Sequence, residues 1–270
     1  MMASSRRVRP AAVAGTFYPD DPDELRAYVT TAVNEARNTV GDIPSGRAYI
    51  VPHAGYMYSG AIAAGAFARI QRDARRIRRV ILIGPSHRVF LRGAAVPIHD
   101  AFSTPLGEVP IDREIRNELV TSGLALHSDV PHANEHCLEV QLPFLQSVLD
   151  DFTLLPIVIG DANAQEISRI IAACAVDAST LILASSDLSH YHTYAEAQRI
   201  DAATAQAILR LDTHLVGDQA CGAVAINGLN QYARDQSLVV REIARCNSGD
   251  TAGDRARVVG YASFGFHGHA

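Results

Sequence analysis

Three stretches of this sequence, "RVILIGP", "TLLPIVI" and "TLILASS", are short, continuous apolar runs, each followed by a segment long enough for an amphipathic helix. A strand that is apolar on every residue, not every second one, is buried on both faces. That pattern predicts an α/β fold with a central sheet covered by helices on both sides. The strands are predicted at 47–52, 79–84, 93–98, 153–159, 179–185, 238–245 and 257–265, and the helices at 22–37, 58–71, 112–121, 137–149, 164–175, 194–211 and 221–234. Only a Gly/Asp-rich loop separates "LVVREIARC" from "RVVGYASFGF", so these two runs pair antiparallel and make a mostly parallel sheet mixed. No internal repeat, low-complexity tract or Pro/Ser-rich linker interrupts the alternation. The reading is therefore one domain over 1–270.

The polar residues fall at the exits of these strands. "YIVPHAGYMYSG" (49–60) runs through Pro52, which fixes φ and keeps Val51 extended, straight into His53. "VILIGPSH" delivers His87, "LILASSDLSHYH" delivers Asp187 and His190, and "VVREIARCNSGD" delivers Cys246. In open α/β sheets ligands bind outside the carboxyl ends of the strands, so these groups are placed to converge. "NEHCLEVQLPFL" adds His136 and Glu139, three apart at a predicted helix start where side chains share a face. Taken singly, each has a structural explanation. A strand-end histidine caps or hydrogen-bonds, Asp187 and Ser189 cap the next helix, Glu139 favours a helix N-terminus, and Cys246 packs as a small hydrophobe. His99, His127, His132 and His214 read as surface or structural residues, and His267 and His269 as tail residues. Taken together, two imidazoles and one anionic donor from separate strand ends have the composition of an open catalytic metal site.

Composition removes several function classes. The formal charge of −5 offers no electrostatic footprint for nucleic acid. No stretch approaches the roughly 18 apolar residues of a membrane span, and the arginines near the N-terminus are followed by no apolar signal-peptide core. The four cysteines show no C-x-x-C pairing, which argues against a disulfide framework or zinc ribbon and for a reducing, cytoplasmic setting.

The blocks "RPAAVAGTFYPDDPDEL" (9–25), "VPHAGYMYSGAIAA" (51–64), "LIGPSH" (82–87), "EHCLEVQLPFLQ" (135–146), "SSDLSHY" (185–191) and "ACGAVAI" (220–226) span nearly the whole chain in order. In these blocks the chain resembles the Memo family, named for the mediator of ErbB2-driven cell motility and also known as protein B of the AmmeMemoRadiSam system. The resemblance implies a fold similar to class III extradiol dioxygenases, non-haem iron enzymes that open catechol rings with O₂. It implies that His53 and His87 match the two metal-ligating histidines and that His190 matches the general acid/base. Cys246 falls where those dioxygenases place a carboxylate ligand. Asp187 and His136 complete the pocket as partners that orient the imidazoles. The segment "GTFYP" (15–19) folds back against the same site or packs beneath it.

Three functions follow from this reading. The first is a metal-dependent redox enzyme in which His53, His87 and Cys246 hold Fe(II), with Cu or Zn as alternatives, and His190 moves a proton on a small aromatic substrate. The second is a non-catalytic module that takes a peptide in the same pocket. The third, metal-assisted hydrolysis, fits less well with a thiolate beside two histidines. The system name further implies a radical-SAM partner.

Overall fold

Successive residues of the apolar runs go to opposite faces of one sheet, as period-two strand geometry requires. In the computed structural model, which describes residues 6–39 and 46–268, the elements in chain order begin with β1 (Val8–Arg9), α1 (Pro22–Thr39), β2 (Ala48–Val51) and α2 (Tyr56–Ile70). Then come β3 (Arg79–Pro85), β4 (Ala94–Val96), β5 (Ala101–Thr104), β6 (Gly107–Pro110), α3 (Arg113–Thr121) and β7 (Leu126–His127). The second half adds α4 (Leu142–Val148), β8 (Thr153–Ile159), α5 (Ala164–Cys174), β9 (Thr180–Ser185) and β10 (His190–His192). It closes with α6 (Tyr194–Leu209), α7 (Ala223–Asp235), β11 (Val239–Asn247) and β12 (Val258–His267).

The larger sheet has the order β10-β12-β2-β9-β3-β8-β4-β7, with β11 on the other side of β12. Strands β2, β9, β3 and β8 are mutually parallel. Strand β12 lies antiparallel to β2 and to β11, and β4 lies antiparallel to β8. The sheet is thus mixed and mostly parallel at its centre, and the antiparallel pairing of the last two strands agrees with the sequence reading.

Within β3, Val80 and Leu82 pack with α1, α2 and α4 on one face, through residues such as Leu25, Phe67 and Phe144. Ile81 and Ile83 pack on the other face with α3, α5, α6 and α7, through Ile115, Ile167, Ile208 and Ile226. Strand β9 splits its Leu181 and Leu183 from Ile182 and Ala184 in the same way. Full burial of each such aliphatic side chain contributes about 1.5–3 kcal/mol before conformational entropy is counted. These central strands form the rigid base on which their exit loops are held.

Some features were not legible in the sequence. Strands β1, β5 and β6 form a separate three-stranded sheet, assembled from two- to four-residue segments too short to show a period. The helix expected over 137–149 is divided into a 3-10 turn, Glu139–Gln141, and α4. His267 is no tail residue: it ends β12 and is buried, while His269 lies outside the described residues. Among the described residues no helix is long and apolar enough to cross a membrane.

Candidate metal centre

Because β2, β9 and β3 are adjacent and parallel, their carboxyl ends open on the same side. His53, Asp187 and His87 each follow two residues after these ends, with the Asp187 strand between the other two. They line a cleft of about 840 Å³ together with His136, His190 and Cys221. The donor atoms of His53, His87 and His136 all lie within 4.8 Å of one another.

Hydrogen-bond partners fix the state of two of these rings. The Ser185 hydroxyl donates to the Cys137 carbonyl at 2.7 Å and accepts from Gln141 Nε2 at 3.0 Å. It is therefore an acceptor toward His53 Nδ1, 3.0 Å away, and that nitrogen carries the proton. His53 Nε2 is left with its lone pair, 3.2 Å from Cys221 Sγ. His87 Nδ1 stands 2.9 Å from Glu135 Oε1, and since an ionised carboxylate only accepts, His87 Nδ1 carries a proton as well. An oxygen behind each imidazole that orients the ring and sets its tautomer is the usual support of a metal-ligating histidine. His136 Nδ1 is buried and makes no hydrogen bond, although Glu135 Oε1 lies 3.3 Å away.

The electrostatics favour neutral rings. Burial, reinforced by the charge of His87, lowers the His53 pKa to about 3. Burial and the neighbouring His53 lower His136 to about 4. Neutral imidazole is the form that binds metal. Burial by itself would raise the Glu135 pKa, but the hydrogen bond and charge of His87, with backbone N–H groups of His87 and Cys137, outweigh it and bring the carboxyl down to about 2. Burial and then Asp187 push the Cys221 thiol up to about 12, so without an ion it is protonated and donates to His53 Nε2. A second donor group, His87, Glu135 and Cys137, is equally close. Its acceptors are already committed: Glu135 takes N–H groups from His87, His136 and Cys137, and the Cys137 thiol sits on the Pro85 carbonyl.

The structure does not bring Cys246 to this cluster, and the three-ligand set of His53, His87 and Cys246 is corrected accordingly. Cys246 lies inside β11, in register with Tyr261 of β12, and belongs to neither close donor group among the described residues. Strand β11 is two positions from β2 and four from β3, or about 10 and 19 Å at the ordinary strand spacing. The cysteine at the cleft is Cys221, in the loop before α7. Its backbone N–H reaches the Asp187 carbonyl at 3.3 Å, and Gly222 N–H reaches the Ser186 hydroxyl at 2.9 Å. Gly222 permits this approach, since a Cβ there would stand 2.7 Å from the Ser185 carbonyl oxygen. The signal was present in the sequence: Cys221 sits in "ACGAVAI", a more distinctive block than "ARCNSGD".

The other expected site residues divide. His190 lines the cleft, and its Nδ1 lies 2.8 Å from the Leu188 carbonyl. Since a carbonyl only accepts, Nδ1 carries a proton, which leaves Nε2 as the nitrogen without a protein partner among the described residues. Asp187 lines the cleft too, but Oδ1 is engaged by the N–H groups of His53 at 2.7 Å and Ala54 at 3.3 Å. Neither Asp187 nor Ser189 caps the following helix, whose start is closed by Thr193 and Glu196. His136 and Glu139 do not share a face: Glu139 is buried against the N-terminal segment, where it accepts from Ala12 N, Val13 N and Tyr18 Oη. That segment packs beneath the site, with the Phe17 ring 4.8 Å from His136 and the Phe17 carbonyl taking Tyr56 N–H at 2.7 Å.

The profile of the family described as "Memo-like protein" matches residues 9–265. Similar curated proteins include a "MEMO1 family protein" of Aeropyrum pernix, 36% identical and covering 94% of this chain and 98% of its own. Another, of Aquifex aeolicus, is 35% identical, covering 94% and 97%, and one of Desulfurococcus amylolyticus is 33% identical, covering 96% and 99%. Among solved structures, the uncharacterized protein JW3007 from Escherichia coli K12 superposes with a TM-score of 0.52 at 13% identity, over 82% of this chain and 99% of that one. At that identity the likeness concerns the fold alone.

Proposed function

The chain belongs to the Memo-like protein family, and we propose that its histidine cluster is a metal-dependent redox centre acting on a small substrate. The observation that carries this reading is the pair of imidazoles, His53 and His87, each with Nδ1–H committed to an oxygen behind it and both rings lining one cleft. The donor chemistry fits an ion. His53 and His87 would hold it, with the Cys221 thiolate or His136, whose Nδ1 makes no hydrogen bond, as a third donor. Imidazole suits Fe, Cu and Zn, and a thiolate shifts the preference toward softer ions. Fe(II) is the first expectation and Cu or Zn the alternatives. When bound, such an ion supplies a redox-active or Lewis-acidic centre for a substrate oxygen.

The chain's own residues supply the rest. His190 lines the cleft with its Nδ1–H held by the Leu188 carbonyl, so Nε2 is the nitrogen left to exchange a proton with substrate, as a general acid/base must. Asp187 fixes the loop that carries His53 through two backbone N–H groups. Burial holds His53 and His136 neutral, so no proton has to be displaced before a ligand bond forms. The cleft volume lies in the range of small-molecule sites, and a single aromatic ring is the substrate class proposed.

A second reading, a non-catalytic peptide pocket, is favoured by exposed apolar groups close to the cleft: Tyr191 lines it, Val216 adjoins Gly217, and Phe90 follows His87 by three residues. A radical-SAM protein is the further partner proposed from the family's system name. Anaerobic purification, elemental analysis and O₂ uptake with a panel of catechols separate these readings. Iron at about one per chain with substrate-dependent uptake supports the redox centre. Stoichiometric zinc without uptake, or no metal with peptide capture, overturns it.

A further inference from the structure

The loop carrying Glu135 and His136 has no regular secondary structure from Pro131 to His136. Its turns tie the His132 and Ala133 N–H groups to the Asp129 carbonyl and Glu135 N–H to the His132 carbonyl at 3.3 Å, and its carbonyls take further partners from elsewhere. One residue supplies two of them. Arg9, in β1, is 1% exposed, and each guanidinium nitrogen has a buried partner. Its Nε donates to the His132 carbonyl at 2.7 Å, Nη2 to the Glu135 carbonyl at 2.7 Å, and Nη1 to Glu139 Oε2 at 2.6 Å. The guanidinium also lies over the Phe102 ring at 4.8 Å. A rigid planar fork holds acceptors in three fixed, widely spread directions, which the compact ammonium of a lysine cannot match.

We propose that Arg9 is a positioning residue for the histidine cluster: by pinning both ends of the 132–135 turn it fixes the Glu135 carboxylate and, through it, the ring and tautomer of His87. The connection is continuous. Arg9 Nη2 holds the Glu135 carbonyl. Glu135 Oε1 then takes His87 Nδ1 at 2.9 Å and His136 N at 3.0 Å, and Oε2 takes His87 N at 2.8 Å. Glu135 is itself 2% exposed, so no water competes for those oxygens. The N-terminal segment, 123 to 130 residues away in sequence from the groups Arg9 binds, is therefore part of the site's scaffold and does more than cover the core. This inference rests on the metal-centre reading for its consequence, but its structural content is independent of any ion.

The test uses the full chain with Arg9→Lys, which keeps a cation beside Glu139 but loses the fork. Tyr18→Phe is the control, because it removes a bond to Glu139 without touching Arg9. Long-range ¹H–¹⁵N correlation of the histidine rings in metal-free protein reports the His87 tautomer, and Co(II) titration reports ligand geometry. The wild type and Tyr18→Phe should show His87 protonated on Nδ1. Arg9→Lys should show a tautomer average and bind Co(II) about 10–100-fold more weakly, the range for losing an outer-shell partner. If Arg9→Lys does not fold, the double variant Arg9→Gln/Glu139→Gln removes both buried charges together and takes the same readings. An unchanged His87 signal in a folded variant overturns the proposal, even if melting temperature falls. If the wild type binds no Co(II) while Arg9→Lys still shows the tautomer change, the metal reading is overturned and the positioning role stands.

Discussion

The centre and the margin of the large sheet handle strand exits differently. At the centre, the parallel strands β2, β9 and β3 lie side by side, and residues two positions beyond their ends meet in one cleft. At the margin, β11 runs in the same direction as β2, because two antiparallel steps through β12 restore it, yet among the described residues Cys246 joins no close group of metal-type donors. The difference is lateral distance. A strand end contributes to a site only if it shares both the side of the sheet and the neighbourhood, and two strand spacings already exceed ligand reach. The cysteine that does line the cleft is a loop residue, Cys221, brought beside His53 over Gly222.

Substitutions should separate centre from margin most sharply in metal retention. His53→Ala should lose the ion, whereas His190→Ala should keep it and lower turnover by about 10²–10⁴-fold; elemental analysis beside steady-state rates reads both. If His190→Ala lost metal as completely, His190 would belong to the ligand set.

Cys221→Ser should weaken Co(II) binding by about 10–100-fold, on the scale of tuning partners, and change its visible spectrum. Cys246→Ser should change neither. Equal effects from the two would erase the distinction between loop and margin.

Acid should act on both regions. Burial lowers His53 to about 3 and His132 and His136 to about 4, so the unfolded chain takes up protons first. That stability is complete above pH 6.5 and is lost as pH falls toward 4 and 3; Glu135, brought down to about 2, adds a loss between pH 4.5 and 2. His132, bonded to the Ala95 carbonyl away from the cleft, accounts for roughly 3 kcal/mol by this linkage. Denaturant titrations of metal-free protein at pH 7 and pH 5 should show a clear drop, and a flat profile would contradict neutral buried rings.

The smallest effect belongs to the approach that seats Cys221. Gly222→Ala places a methyl group 2.7 Å from the Ser185 carbonyl and the Ser186 Cβ, an overpacking cost of about 1–3 kcal/mol. Thermal melts should show it, with Cys221 labelling faster as the loop lifts. Gly253→Ala, which meets Ser248 near β11, tests whether the margin is equally intolerant.

Local patterns determined much of this molecule. Continuous apolar runs require a sheet buried on both faces, and His53, His87, Asp187 and His190 are legible because they follow directly on those runs, where chain direction alone decides the side of the sheet. The short strands carried no such signal, since two to four residues contain no period. Which cysteine reaches the cleft, why Glu139 faces the N-terminal segment and why Glu135 faces His87 were decided by packing between elements distant in sequence. Glu135 illustrates the reason: nothing in "NEHCLE" says which of its two acids will meet an imidazole. Only after Arg9, 126 residues earlier, clamps the Glu135 carbonyl is its carboxylate held to His87. A buried charge is tolerated only where tertiary structure brings its partners together, and sequence order does not encode that meeting.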